Sequence, residues 1–111
     1  MAAGDWKDLY DAALRGDMGR VRYHIEADVN PNHQHPEIMC TPLVAALVHG
    51  HLDVAEHLLQ HGADPNLVSD FDDMTPLQAA RKHGHLAFAR RLQALGARER
   101  RQPFWWRWLP V

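Results

Sequence analysis

Residues 41–46 read TPLVAA and residues 75–80 read TPLQAA, so one hexapeptide recurs with a spacing of 34 residues. The register holds downstream, because GHL at residues 50–52 returns at residues 84–86. A step of 34 residues back from the first copy reaches a weaker copy at Leu9, Ala12, Gly16, Val21, Pro31 and Asn32. An internal repeat of this length outranks local signals in assigning architecture. The sequence therefore predicts one domain of three repeats, of which the first is degenerate.

The first half of each repeat is predicted to be a short helix. Thr41 is a favoured N-cap residue, and Pro42 suits the first helical position because its missing N–H has no intrahelical partner there. The helix is expected to run to about His49 and to end at Gly50.

The second half of the repeat carries apolar residues at helical spacing: Leu52, Ala55, Leu58 and Leu59. Gly62 follows them, and glycine readily takes the left-handed conformation that ends a helix. Asp28 has the matching place in the first repeat, and aspartate tolerates this conformation better than most other residues. Each repeat is thus predicted to be a helical hairpin.

The repeat resembles the ankyrin repeat in its TPL start, its alanine pair, Gly50-His51, Leu58-Leu59 and the GADPN run at residues 62–66. The resemblance covers roughly residues 5 to 97. It implies an all-α ankyrin-repeat solenoid of three helix-turn-helix units with extended fingers between them. Val44 and Gln78 replace the histidine of the family's motif. The hydrogen-bonding role of that histidine is therefore expected to be lost at Val44, and it stays open at Gln78.

The chain is predicted to divide into a repeat domain, residues 1–97, and an Arg/Trp-rich segment, residues 98–111. The repeats are placed at about 5–38, 39–72 and 73–97. The segment holds four closely spaced aromatic residues: Phe104, Trp105, Trp106 and Trp108. Because a terminal repeat must cover its own apolar face, we expect this segment to act as a cap. Anchoring at a membrane interface, docking on a protein partner and self-association as a homodimer are the alternatives.

The charges are unevenly distributed along the chain. Residues 1–80 carry thirteen acidic and four basic side chains, whereas residues 81–111 carry eight basic side chains and Glu99 as the single acid. This polarity can steer an acidic partner or orient two copies head to tail. Mixed Arg and Trp side chains also suit nucleic acids, but the acidic remainder would repel phosphate. The sequence therefore favours a protein partner over nucleic acid.

The amino-acid composition excludes several classes of protein. The chain is 46% hydrophobic with a mean hydropathy of −0.43, which is typical of a folded soluble domain and not of a disordered chain. Cys40 is the single cysteine, so no internal disulfide can form. The first residues lack the basic and apolar pattern of a secretory signal, and no run is long enough to span a membrane. These features predict a cytoplasmic protein.

The sequence has no strong catalytic or cofactor-binding motif. His57 and His61 lie four residues apart, a spacing that suits two metal ligands, but no third ligand follows nearby. The other groups are weaker and consist of His33, His35 and Cys40 in one finger and Asp70, Asp72 and Asp73 in the next. Glycine-rich phosphate loops and nucleophile elbows are missing from the sequence. We therefore predict a non-enzymatic protein without metal or cofactor, in which His51 and His85 are structural turn residues.

The resemblance implies protein binding through the concave face and the finger tips. The positions carried over are Leu14, Arg15, Glu37, Ile38, Cys40, Val48, His49, Phe71, Asp72, Met74, Lys82 and His83. Four of them are apolar where solvent exposure is expected: Ile38, Val48, Phe71 and Met74. Such a stripe suggests a protein-binding groove. Packing of Ile38, Met39, Phe71 and Met74 between adjacent fingers is the alternative. The sequence thus predicts an adaptor or inhibitor that binds another protein.

Overall fold

The computed structural model describes residues 3–34, 38–69 and 74–98, and these residues form three helical hairpins. The helices are α1 (Ala3–Arg15), α2 (Met18–Glu26), α3 (Pro42–Val48), α4 (Leu52–Gln60), α5 (Pro76–Lys82) and α6 (Leu86–Ala94). An isolated antiparallel bridge joins Ser69 to Met74 at the base of the second finger. The predicted all-α solenoid of three repeats is confirmed.

The predicted helix starts are confirmed at both TPL motifs. The Thr41 hydroxyl accepts a hydrogen bond from the backbone N–H of Val44, at 3.2 Å. Thr75 caps α5 in the same way, and the Gln78 side chain also accepts from the backbone N–H of Thr75, at 3.0 Å. This reciprocal pair is a capping box, which satisfies two backbone donors at one helix end. Gln78 therefore keeps a hydrogen-bonding role, whereas Val44 is a buried apolar residue.

Among the described residues, two that are not glycine have left-handed backbone conformations. Asp28 has φ 62°, as its alignment with Gly62 predicted. Met39 has φ 57° at the base of the first finger, where 41% of its surface is exposed. No sequence signal marked Met39, because methionine is not among the residues that favour this conformation.

The helices form two layers. In the inner layer α1 packs against α3, and α3 packs against α5; each outer helix packs against the inner helix of its own hairpin. One continuous core fills the space between the layers, and its largest fully buried apolar side chains are Leu9, Leu47, Leu58, Leu92, Val21, Val44 and Val54. The first hairpin departs from the repeat because α1 has 13 residues where α3 and α5 have 7.

Asparagine side chains join successive repeats on the finger side of the helices. Asn32 donates to the carbonyl oxygen of Gly62, at 2.9 Å, and accepts from the backbone N–H of Asp64, at 2.7 Å. Asn66 makes the same two bonds one repeat later, with Gly96 at 3.1 Å and Arg98 at 2.8 Å. These pairs of hydrogen bonds therefore stabilise the stacking of repeats in addition to the packed core.

Candidate binding groove

A groove of about 250 Å³ lies on the inner layer between the first and second repeats. Its lining comes from α1, α3 and the base of the first finger, and consists of Tyr10, Leu14, Ile38, Cys40, Ala45, Val48 and His49. Five of the twelve positions carried over from the family frame are therefore brought together in one place.

The helix period explains why these side chains converge. Tyr10 and Leu14 are four residues apart on α1, so they lie on the same face of the helix. Ala45 and Val48 follow the same rule on α3, and His49 is the C-cap residue directly after it. Since α1 packs directly against α3, the two stripes face one groove.

The groove is apolar, and its lining side chains pack against the hydrophobic core. Cys40, which is 6% exposed, and Ala45, which is 3% exposed, are buried, whereas Leu14, Ile38 and Val48 are half-buried and pack against the core. The Trp6 ring stacks on Tyr10 at 5.5 Å and holds that wall of the groove. His49 is exposed at the rim. A preformed apolar cleft of this kind can receive an aliphatic or aromatic side chain of another molecule.

Four other predicted positions have different environments. Arg15 is exposed and pairs with Asp11 one turn earlier on α1, at 3.0 Å. Met74 is half-buried against the core. Lys82 and His83 are exposed at the end of α5, in the third repeat. These four residues do not line the groove.

The remaining predicted positions, which are Glu37, Phe71, Asp72, Phe104, Trp105, Trp106 and Trp108, lie outside the described residues. For Ile38 and Met74, the structure combines both interpretations of the sequence, because each packs against the core and stays partly accessible. Cys40 is buried and lines the groove.

Sequence reasoning missed two lining residues, Tyr10 and Ala45. The helical period contained a signal for both, since Tyr10 precedes Leu14 by four residues and Ala45 precedes Val48 by three. The family frame alone did not single them out, because alanine at position 45 belongs to the repeat motif and the first repeat is degenerate.

The His57 and His61 rings lie next to each other at the C-terminal end of α4, with their centroids 4.2 Å apart and their planes tilted by 32°. His61 Nδ1 donates to the carbonyl oxygen of His57, at 2.9 Å, because a carbonyl can only accept. Burial lowers the pKa of His57 below its ordinary value, and the nearby His61 and Arg22 lower it further. His57 is half-buried, and its lowered pKa favours the neutral form.

The metal sites suggested by the sequence lie partly outside the described residues, which do not include His35, Asp70, Asp72 or Asp73. In residues 3–34, 38–69 and 74–98, no group of three or more His, Cys, Asp or Glu side chains is arranged to hold a metal ion. His33 packs edge-on against Trp6, at 5.5 Å between centroids, and Cys40 lines the groove. The helices within these ranges are also too short or too polar to cross a bilayer.

Comparison with known proteins identifies the family of repeat proteins to which the stacked hairpins belong. The family profile described as ankyrin repeats (3 copies) matches residues 9–102. The chain therefore belongs to the ankyrin repeat family, as its sequence motifs indicated.

Two relatives resemble part of the chain. It is 39% identical over 61 residues to the ankyrin repeat protein FPV222 of fowlpox virus (strain NVSL), which is 55% of this chain and 8% of that protein. It is also 39% identical over 59 residues to palmitoyltransferase AKR1 of Lachancea kluyveri, which is 53% of this chain and 8% of that protein. The chain thus spans about 8% of the length of each. Ankyrin repeats are in general protein–protein interaction modules, and the family is typically non-enzymatic.

Proposed function

We propose that this chain is a non-enzymatic adaptor or inhibitor that binds a segment of a partner protein in the groove between α1 and α3. The observation that carries the proposal is the convergence of Leu14, Ile38 and Val48 in one preformed apolar groove. Fold membership supports protein binding in general, but a fold can host many functions, so the groove supplies the specific argument.

The groove suits rigid recognition. Its walls are side chains that also pack against the core, so little conformational entropy is lost when a partner binds. An apolar anchor of the partner would insert between Leu14 and Val48, while the exposed His49 at the rim would meet polar groups. Binding would therefore need little rearrangement of the backbone.

The positive charge of the third repeat indicates which charge a partner would carry near its apolar anchor. Residues 74–98 contain five basic and no acidic side chains. Lys82 and His83 are exposed at the end of α5, which adjoins α3 in the inner layer. A partner whose acidic residues extend from the anchor toward the third repeat would therefore be attracted to this end of the inner layer, and its rate of association would fall with salt.

We place this activity in the cytoplasm. The support is the single cysteine, whose thiol is buried at the groove floor and has no second cysteine in the chain to pair with. Immunofluorescence of the tagged full chain in its host cell tests this placement, and a secreted or membrane-enclosed signal would contradict it.

Selection of peptide ligands from a random display library tests whether the groove binds protein segments, and it requires no particular partner. Methyl resonances of Leu14 and Val48 are expected to shift when selected peptides are titrated in. Val48→Arg should weaken binding at least about tenfold, because it places a charge where an apolar anchor is buried. Tyr23→Arg is the matched control, since Tyr23 is exposed on α2, away from the groove. Equal affinity of the Val48→Arg and control variants, both still folded by circular dichroism, would rule out the groove as the binding site.

A further inference from the structure

The outer end of the third repeat is incompletely covered by the described residues. Met18, Leu52 and Leu86 occupy equivalent positions, 34 residues apart, at the start of α2, α4 and α6. Met18 and Leu52 are half-buried and pack against the core. Leu86 is 62% exposed, and no repeat among the described residues stacks on it.

A notch beside Leu86 shows the same asymmetry. The space above Gly16 holds the His51 ring, which would lie 2.5 Å from an added Cβ, and the space above Gly50 holds the His85 ring, at 3.7 Å. At Gly84, the equivalent position in the third repeat, no described atom lies within 4 Å. The last repeat therefore presents an open notch where the earlier repeats receive an aromatic ring.

Some positions at this end are already adapted to solvent. Gln93 stands where the second repeat has the half-buried Leu59, and it is exposed. Arg90 is exposed one turn after Leu86 on the same face of α6. The uncovered apolar surface is therefore local, centred on Leu86 and the Gly84 notch, and it is bordered by a guanidinium group.

The chain leaves the described structure just past the C-terminal end of α6, whereas Leu86 lies at the start of that helix. Asn66 holds the backbone of Arg98 and Gly96, so the chain is fixed at the end of the third repeat up to that point. Thirteen residues, 99–111, follow. Fully extended they reach about 43–47 Å, whereas the nine residues of α6 measure about 14 Å. The segment can thus reach any part of the outer end.

The composition of that segment matches the surface. Phe104, Trp105, Trp106 and Trp108 are large apolar side chains, each able to bury roughly 150–250 Å². A tryptophan face also attracts an arginine guanidinium, so Arg90 favours such a ring even though both the segment and the third repeat are basic. A cationic tail without aromatic residues would be repelled by the basic side chains of the third repeat.

We propose that residues 103–109 fold back onto the outer end of the third repeat, where a tryptophan covers Leu86 and fills the notch at Gly84. The occupant is this chain's own segment, in the same molecule. It buries Leu86, whose equivalents Met18 and Leu52 are half-buried in the earlier repeats. This inference does not depend on the groove between α1 and α3, which lies two repeats away.

Acrylamide quenching of tryptophan fluorescence in the full chain tests the proposal, because three of the four tryptophans are in this segment and Trp6 is buried. In the wild type we expect a blue-shifted, shielded emission that does not depend on protein concentration. Leu86→Asp should raise the quenching constant roughly twofold by releasing the aromatic rings. Tyr23→Asp is the control, because Tyr23 is 67% exposed on the first repeat and should leave the quenching unchanged.

Three outcomes would overturn the proposal. Quenching that is the same in wild type and Leu86→Asp would show that the rings do not rest on Leu86. Shielding that grows with concentration together with a doubled molar mass would assign the surface to a second copy. Shielding that needs phosphatidylcholine–phosphatidylserine vesicles would assign the segment to a membrane.

A second measurement protects the test if Leu86→Asp unfolds the chain. The triple variant Trp105→Ser, Trp106→Ser and Trp108→Ser, made in the full chain, should speed amide hydrogen exchange at residues 83–92 and leave residues 5–15 as in the wild type. Identical exchange at residues 83–92 in both proteins would contradict the cap.

Discussion

The His85 side chain donates a hydrogen bond from Nε2 to the carbonyl oxygen of Leu47, 3.1 Å away in the preceding repeat. Because a carbonyl can only accept, the donor nitrogen of this ring is Nε2. His85 also occupies the N-cap position of α6, and Leu47 lies in the last turn of α3, where its carbonyl oxygen also accepts from the backbone N–H of Gly50, at 3.3 Å. The histidine predicted to be a turn residue is therefore also a connection between repeats.

His85→Ala is expected to lower the free energy of unfolding by about 1 kcal/mol, because the partly buried hydrogen bond to the Leu47 carbonyl oxygen is lost. Urea denaturation at neutral pH measures this change. His83→Ala removes an exposed histidine two residues earlier and should have almost no effect. Similar losses for the two variants would show that the bond to Leu47 contributes nothing specific.

Asn32→Ala should destabilise the chain by about 1–2 kcal/mol, since it removes both hydrogen bonds that the side chain makes to the second repeat. Asn32→Asp keeps an acceptor for the Asp64 N–H but loses the donor to Gly62, so its loss should be smaller. Thermal unfolding of the three proteins gives the order. A wild-type melting temperature for Asn32→Ala would contradict a stabilising role of these two hydrogen bonds.

The ion pair between Glu56 on α4 and Arg91 on α6 predicts a dependence of stability on pH. Arg91 Nη2 lies 2.7 Å from the carboxylate, and this hydrogen bond is the main cause that lowers the pKa of Glu56 below its ordinary value. A lowered folded-state pKa means that the contribution is present above the ordinary glutamate range, about 4.3, and is lost as the pH falls through the folded-state pKa. Arg91→Gln should therefore lower the urea midpoint slightly at pH 7 and not at pH 3.

A double-mutant cycle separates this pair from other effects of Arg91. In a Glu56→Gln background, Arg91→Gln should cause no further loss at pH 7. An equal loss in both backgrounds would mean that Arg91 acts through some other group. The effect is expected to be small, because both side chains are partly exposed to water.

His57 predicts a second pH effect at higher pH. Its folded-state pKa is lowered, chiefly by burial, so the unfolded chain takes up a proton first as the pH falls through the ordinary histidine value of about 6.5. The stability associated with neutral His57 is therefore present above that value and is lost as the pH falls below it. His57→Gln should flatten the stability profile in that acidic range. His49→Gln, at an exposed position, should keep the wild-type slope, and an unchanged slope for His57→Gln would disprove the assignment.

The sequence by itself determined the repeat frame and the hairpin within it. Threonine caps, the proline after each cap, the apolar spacing and the left-handed Asp28 act within one or two helical turns. Their effects do not depend on distant contacts, and the 34-residue recurrence repeats them. For this reason the all-α architecture, the helix positions and the family could be predicted from residues alone.

Only the tertiary structure decided which side chains meet between repeats. Tyr10 reaches the groove with Val48, Glu56 pairs with Arg91, and the ring of His57 becomes partly buried, because hairpins far apart in sequence stack at particular distances. The left-handed Met39 likewise has no local cause in the sequence. A repeat pattern specifies the shape of one unit, whereas the offset and tilt between units arise from packing of the whole core, and that packing places the groove and the uncovered Leu86.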